Sequence, residues 1–213
     1  MASASRWPLP AAAHIDLWQR QALATAGWPD AGMPDRGDSL VLRILENHRC
    51  NTLLWQQEDL ARRPHAPDRE IVANKRAIDR FNQQRNDAIE AIDEIILERA
   101  GAGAASRREQ PAWVNSETAG SIIDRLSIGS LKVHHMRLQC ERADAGAQHR
   151  RACLAKLAQL RAQREHLCQC LDALLHGLQT GRCTYRTYRQ FKMYNDPALN
   201  PYLYDVATQA GAA

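Results

Sequence analysis

Large aromatic and β-branched side chains are scarce: two Phe and five Tyr stand in 213 residues. Strands need such residues on their half-buried faces, whereas Ala, Leu, Arg and Gln, abundant here, favour helix. No strand pattern, internal repeat or Gly-rich phosphate loop is visible. No stretch approaches the ~18 apolar residues of a membrane helix, so no membrane insertion is expected. Met1 to Leu17 lacks the apolar run of a signal peptide, because Arg6, Pro8, Pro10, His14 and Asp16 interrupt it. A cytoplasmic protein is the expectation. No Lys/Arg block appears and the formal charge is only +4, which argues against nucleic acid as partner. The six cysteines show no metal-type spacing and are expected to be free.

What is there reads as an ordinary globular chain, 45% hydrophobic and 24% charged. His14–Ala26 is expected to be a short first helix and Gly27–Asp38 a loop. Asp38 or Ser39 can cap a second helix, Leu40–Arg63, stopped by Pro64 and Pro67. A third helix runs from Asp68 to about Arg99, and Gly101–Gln110 is a linker. A fourth runs from Ser116 to about Ala143. Gly146 breaks the chain before a fifth, Ala147–Leu178, whose leucines include Leu154, Leu157, Leu171 and Leu174. The expected fold is an all-α bundle of about five helices. Residues 1–39 carry the short helix and loop, 40–205 the bundle domain, and 206–213 a disordered tail. An aromatic C-terminal arm, Tyr185–Tyr204, is expected to pack across the second and third helices, with Lys192 or Tyr194 reaching the polar faces.

The third helix carries the most informative pattern. At about 100° per residue, Ile78, Phe81, Ile89, Ile92 and Ile96 share one face. Arg85 lands within that face, and Lys75, Asp79, Asn82, Asn86 and Asp93 line its edge. Buried polar groups cost free energy unless paired, so a polar network is expected against the core. On the second helix His48, Asn51, Trp55, Glu58, Asp59 and Arg62 fall within about 100° of arc. On the fourth, Ile122, Leu126, Val133 and Met136 make the core stripe, and Ser121, Asp124, Arg125, Lys132 and His135 line another side.

Three chemistries suit these residues. Glu58, Asp59, Glu90 and Asp93 supply the oxygens that Mg²⁺ takes from more than one element. Arg125 and Lys132 suit a phosphate, while Asn51, Asn82, Arg85, Asn86 and Asp124 supply polar contacts and Trp55 a stacking face. His48 and His135 are the acid/base candidates. The plainer alternative is a buried hydrogen-bond network that fixes helix register.

Four segments resemble the bacterial domain-of-unknown-function family 4254: Asn51-Thr-Leu-Leu-Trp-Gln-Gln-Glu-Asp-Leu-Ala-Arg62, Ile78 to Asp93, Asn115 to Ser127, and Tyr188-Arg-Gln-Phe-Lys-Met-Tyr-Asn-Asp-Pro197. The resemblance spans roughly Leu40 to Tyr204. It implies a small helical cytoplasmic protein encoded beside glycosyltransferases of envelope polysaccharide synthesis, and brings no assigned catalytic residue. Glu90-Ala-Ile-Asp93 also resembles half of the Mg²⁺ site of all-α nucleoside triphosphate pyrophosphohydrolases. Glu58 and Asp59 depart from the other half, being adjacent rather than spaced. Two functions follow as expectations. One is a metal-dependent enzyme or binder acting on a phosphorylated sugar or nucleotide sugar in envelope-glycan synthesis. The other is a non-catalytic scaffold or partner of a glycosyltransferase, with the aromatic arm as its docking surface.

Overall fold

A computed structural model describes residues 9–33, 36–104, 113–190, 193 and 196–203. Five helices dominate: α1 (Ala12–Ala24), α2 (Ser39–Ala61), α3 (Asp68–Ala104), α4 (Ala119–Glu141) and α5 (Ala147–Gln179). The all-α bundle expected from composition is what the chain forms. No helix among the described residues is long and apolar enough to cross a membrane. The expected disordered tail, 206–213, lies outside the described residues, as do Lys192 and Tyr194.

Local chemistry sets the helix ends. The Asp38 carboxylate accepts from the backbone N–H groups of Leu40 and Val41 at 2.9 and 3.2 Å, closing the start of α2. Arg99 of α3 donates to the same carboxylate at 2.9 Å, tying the ends of the α2–α3 hairpin together. These partners hold the Asp38 carboxyl below its ordinary pKa against the opposing effect of burial. The Thr118 hydroxyl caps α4 by accepting from the Ser121 N–H at 3.1 Å, so α4 starts three residues after the expected Ser116. Past the end of α5, Gly181 adopts φ 68°, a left-handed conformation that glycine reaches without steric cost.

Two short strands were not expected. β1 (Trp113–Asn115) and β2 (Cys183–Tyr185) pair in parallel, with Trp113 opposite Cys183 and Asn115 opposite Tyr185. Three residues are too few for a period-two signal to show.

The core joins Ile15 of α1, Leu40 and Ile44 of α2, Ile92 and Ile96 of α3, Ile123 and Leu126 of α4, and Leu171 and Leu174 of α5. The α5 leucine stripe is buried only in part. Leu157, Leu171, Leu174 and Leu178 are inside, while Leu154 is 55% exposed, because few core residues accompany the early turns of α5. α4 approaches α3 closely at Gly120, where a Cβ would stand 2.6 Å from the Ile89 carbonyl oxygen. Only glycine lets α4 meet α3 there.

Candidate functional site

The polar faces of α2 and α4 meet in the interior. Asp124 Oδ1 accepts from Asn47 Nδ2 and from Asn51 Nδ2, both at 2.8 Å. Asn51 Nδ2 also donates to Ser127 Oγ at 3.0 Å. Ser127 Oγ lies 2.8 Å from His48 Nδ1. The serine oxygen can accept from Asn51 in either ring tautomer, so the hydroxyl donates to Nδ1 in one and Nδ1–H donates to the hydroxyl oxygen in the other. Asn47, His48 and Ser127 have no exposed surface, and Asn51 is 4% exposed.

A lid of loop residues closes over this network. The Trp28 ring stacks on His48 with centroids 5.8 Å apart, and its Nε1 donates to Thr52 Oγ1 at 3.2 Å. Thr52 Oγ1 in turn donates to the His48 carbonyl at 2.8 Å, and Arg49 Nε holds the Pro29 carbonyl at 2.8 Å. Burial pushes the His48 pKa down to about 4, only partly opposed by the Gln19 backbone. The imidazole is therefore neutral at pH 7, and its Nε2 has no hydrogen-bond partner among the described residues. A hydroxyl beside an imidazole is half of a nucleophile–base pair. Here both members are sealed from any substrate.

The edge of the network is more open. Arg85 Nε stands 4.0 Å from Asp124 Oδ1, with 27% of the side chain exposed, so Arg85 borders the network without a direct hydrogen bond. Asn86 is 4% exposed; its Nδ2 donates to Gln190 Oε1 at 2.8 Å while its Oδ1 has no partner among the described residues. Trp55 and His135 are half-buried and stack at 4.5 Å with planes 2° apart. The edge of His134 meets His135 at 5.3 Å. Burial, followed by the neighbouring His134, lowers the His135 pKa, against a smaller opposing effect of Asp59.

The four carboxylates expected at a metal are not brought together. Among the described residues no three His, Cys, Asp or Glu side chains are grouped to hold an ion. Glu58 pairs with Arg62 at 2.5 Å in the last turns of α2, and Asp59 is exposed. Glu90 accepts from the Gln190 N–H at 3.1 Å. Asp93, buried inside the bundle, accepts from the Gly120 N–H at 2.6 Å, while the Tyr185 hydroxyl donates to its carbonyl at 3.2 Å. Burial raises the Asp93 pKa, although the Thr118 and Gly120 hydrogen bonds act the other way. Its carboxylate satisfies an orphan N–H at the start of α4.

The remaining expected ligands lie on the outside. Arg125 pairs with Glu117 at 2.6 Å, Lys132 is exposed, and Asn82 is half-buried. Asn47 and Ser127 are network members that sequence reasoning missed. Their signal was positional: Asn47 lies one turn before Asn51, and Ser127 three residues after Asp124.

The start of the C-terminal arm meets α3, through Gln190 on Asn86 and Glu90 and through Arg189 on Glu94 at 3.4 Å. Of the arm's six aromatic side chains, Phe191, Tyr194 and Tyr204 lie outside the described residues, and two of the other three differ from expectation. Tyr185 is buried, but Tyr188 is 70% exposed and Tyr202 87% exposed, because the contacts on α3 are made by polar neighbours.

A family described as Protein of unknown function (DUF4254) matches residues 42–187. The chain belongs to this family. The DUF4254 match begins within α2 and ends just after β2, so it takes in the polar network and the Asp93–Gly120 contact. No curated protein and no solved structure matches the chain.

Proposed function

We propose that this protein is a non-catalytic helical partner of a glycosyltransferase in envelope-glycan synthesis. The exposed apolar surface of the arm carries this reading. Tyr188, Met193 and Tyr202 are 70, 58 and 87% exposed, and Trp113, on the strand paired with β2, is 60% exposed. Large exposed apolar side chains on one segment suit a surface that another protein covers, and tyrosine and tryptophan are enriched in such interfaces. The sealed His48–Ser127–Asn51–Asp124 network supports the same view, since a buried, mutually bonded polar set specifies helix register and offers no approach to a substrate.

The enzymatic reading is a sugar phosphate or nucleotide sugar handled with Mg²⁺. It draws on one feature, the half-buried Trp55–His135 stack near Asp59. His135 already occupies the indole face at 4.5 Å.

Co-expression with a glycosyltransferase encoded beside the gene tests the partner reading. The two proteins should co-purify, and Tyr188→Ser with Tyr202→Ser should break the complex while leaving the melting temperature unchanged. A double variant that keeps the complex, or one that melts well below the parent, contradicts the proposal.

A further inference from the structure

A cavity of about 620 Å³ lies between α1, α4 and α5, apart from the polar network. Four guanidinium groups line it, from Arg20, Arg137, Arg161 and Arg164, against three carboxylates, from Asp16, Glu165 and Asp172. The carboxylates are partly committed elsewhere. Asp172 accepts from the Ala12 N–H at 2.8 Å, where α1 begins. Asp16 is shared between Arg20, at 2.7 Å, and Arg164. Arg161 has no ion-pair partner among the described residues, and Arg137 has only a loose one, Glu141 at 3.6 Å.

Arg164 is the decisive residue. It is 9% exposed, and Asp16 engages only its Nη1. Its Nε and Nη2 are buried and have no hydrogen-bond partner among the described residues. Those two nitrogens lie along one edge of the guanidinium plane, the fork that grips both oxygens of a carboxylate or phosphate. A buried fork left empty costs free energy, because its N–H groups have given up water for nothing. Arg164 lines the cavity wall, so an oxyanion in the cavity removes that cost once the guanidinium turns its fork toward it, and Arg161 and Arg137 complete its neutralisation.

We propose that this cavity binds the oxyanion of a small organic ligand, a phosphate ester or a carboxylate. The volume lies within the range of small-molecule sites and exceeds what a bare anion fills. Leu23 and Val133 supply apolar wall for the ligand body. The proposal is independent of the docking surface on the arm.

Titration calorimetry and thermal shift on the full chain test it, with inorganic phosphate, glucose 1-phosphate, glucuronate and glucose as probes. At least one anion should bind saturably and raise the melting temperature, since a ligand of the folded state stabilises it. Neutral glucose should do neither. Binding of the phosphates alone assigns the site to phosphate, and binding of glucuronate alone assigns it to carboxylate. Arg161→Ala and Arg137→Ala, both at exposed positions, should each weaken the bound anion about tenfold, whereas Arg151→Ala, outside the cavity, should not. Arg164→Gln should abolish binding. Should Arg164→Gln fail to fold, the two exposed variants still decide. The proposal is overturned if no anion binds, if glucose binds as well as the anions, or if both exposed variants bind like the parent.

Discussion

Replacing Asp124 with leucine removes the acceptor on which two buried amides converge. Asn47 and Asn51 each give Oδ1 a hydrogen bond of 2.8 Å, and Arg85 stands 4.0 Å away. Asn51 retains Ser127 at 3.0 Å, so its loss is partial, whereas Asn47, with no exposed surface, is stranded. A buried donor left without a partner costs about 1–3 kcal/mol. Arg85 adds little, being part-exposed and beyond hydrogen-bond distance. The sum is roughly 3 kcal/mol, which in a chain of this size lowers the melting temperature by about 6–12 °C. Thermal unfolding followed by circular dichroism measures it, with Asp144→Leu in the exposed turn before α5 as the control. Adding Asn47→Leu to Asp124→Leu should recover part of the loss, since the stranded amide is then gone. If Asp124→Leu melts within ~2 °C of the parent, the network contributes nothing to the fold and the reasoning fails.

His48 is neutral in the fold with a pKa of about 4, below its ordinary 6.5, so the unfolded chain binds the extra proton first. Stability should be full above pH 6.5 and fall as the pH drops toward 4, by about 3 kcal/mol over that window, and His48→Gln should flatten the dependence in urea titrations at stepped pH. Gly120→Ala drives a Cβ against the Ile89 carbonyl at 2.6 Å and should cost about 1–3 kcal/mol in urea unfolding, while Gly101→Ala, in open space near the end of α3, should cost nothing. Truncation after Thr184 removes buried Tyr185 and should destabilise the bundle markedly in a thermal melt. Truncation after Arg186 keeps that contact and should lower stability by only about 1 kcal/mol, the worth of the hydrogen bonds lost from Gln190. All six cysteines are free, so reducing agent should leave the melting temperature unchanged.

Most of the helical frame was legible because its signals are local. Asp38, Pro64, Pro67 and Gly146 act within a turn of their own position, and the helix boundaries fall within a few residues of them. The strands were not legible, since three-residue elements held by one parallel pairing depend on segments nearly 70 positions apart. The interior network was half legible. Periodicity placed His48, Asn51 and Asp124 on inward faces, yet it could not say which amide or hydroxyl would meet which carboxylate. Asp93 shows why the metal set misled. An acid three residues from another acid looks like a ligand pair, but where the start of α4 lands determines what that acid does. Arg164 went unnoticed because an arginine among the arginines of α5 looks solvated until Asp16 of α1 packs against it.

The central claim is that the polar interior between α2 and α4 is sealed structure, and that function lies on the surface. The protonation of His48, followed by NMR through its ring signals from pH 4 to 8, tests this most directly. A sealed imidazole on Ser127 stays neutral down to a pKa of about 4, and its signals should not move between pH 8 and 6. A titration midpoint near 6.5 would mean that solvent and protons reach His48 freely, and would return the network to the status of an accessible site.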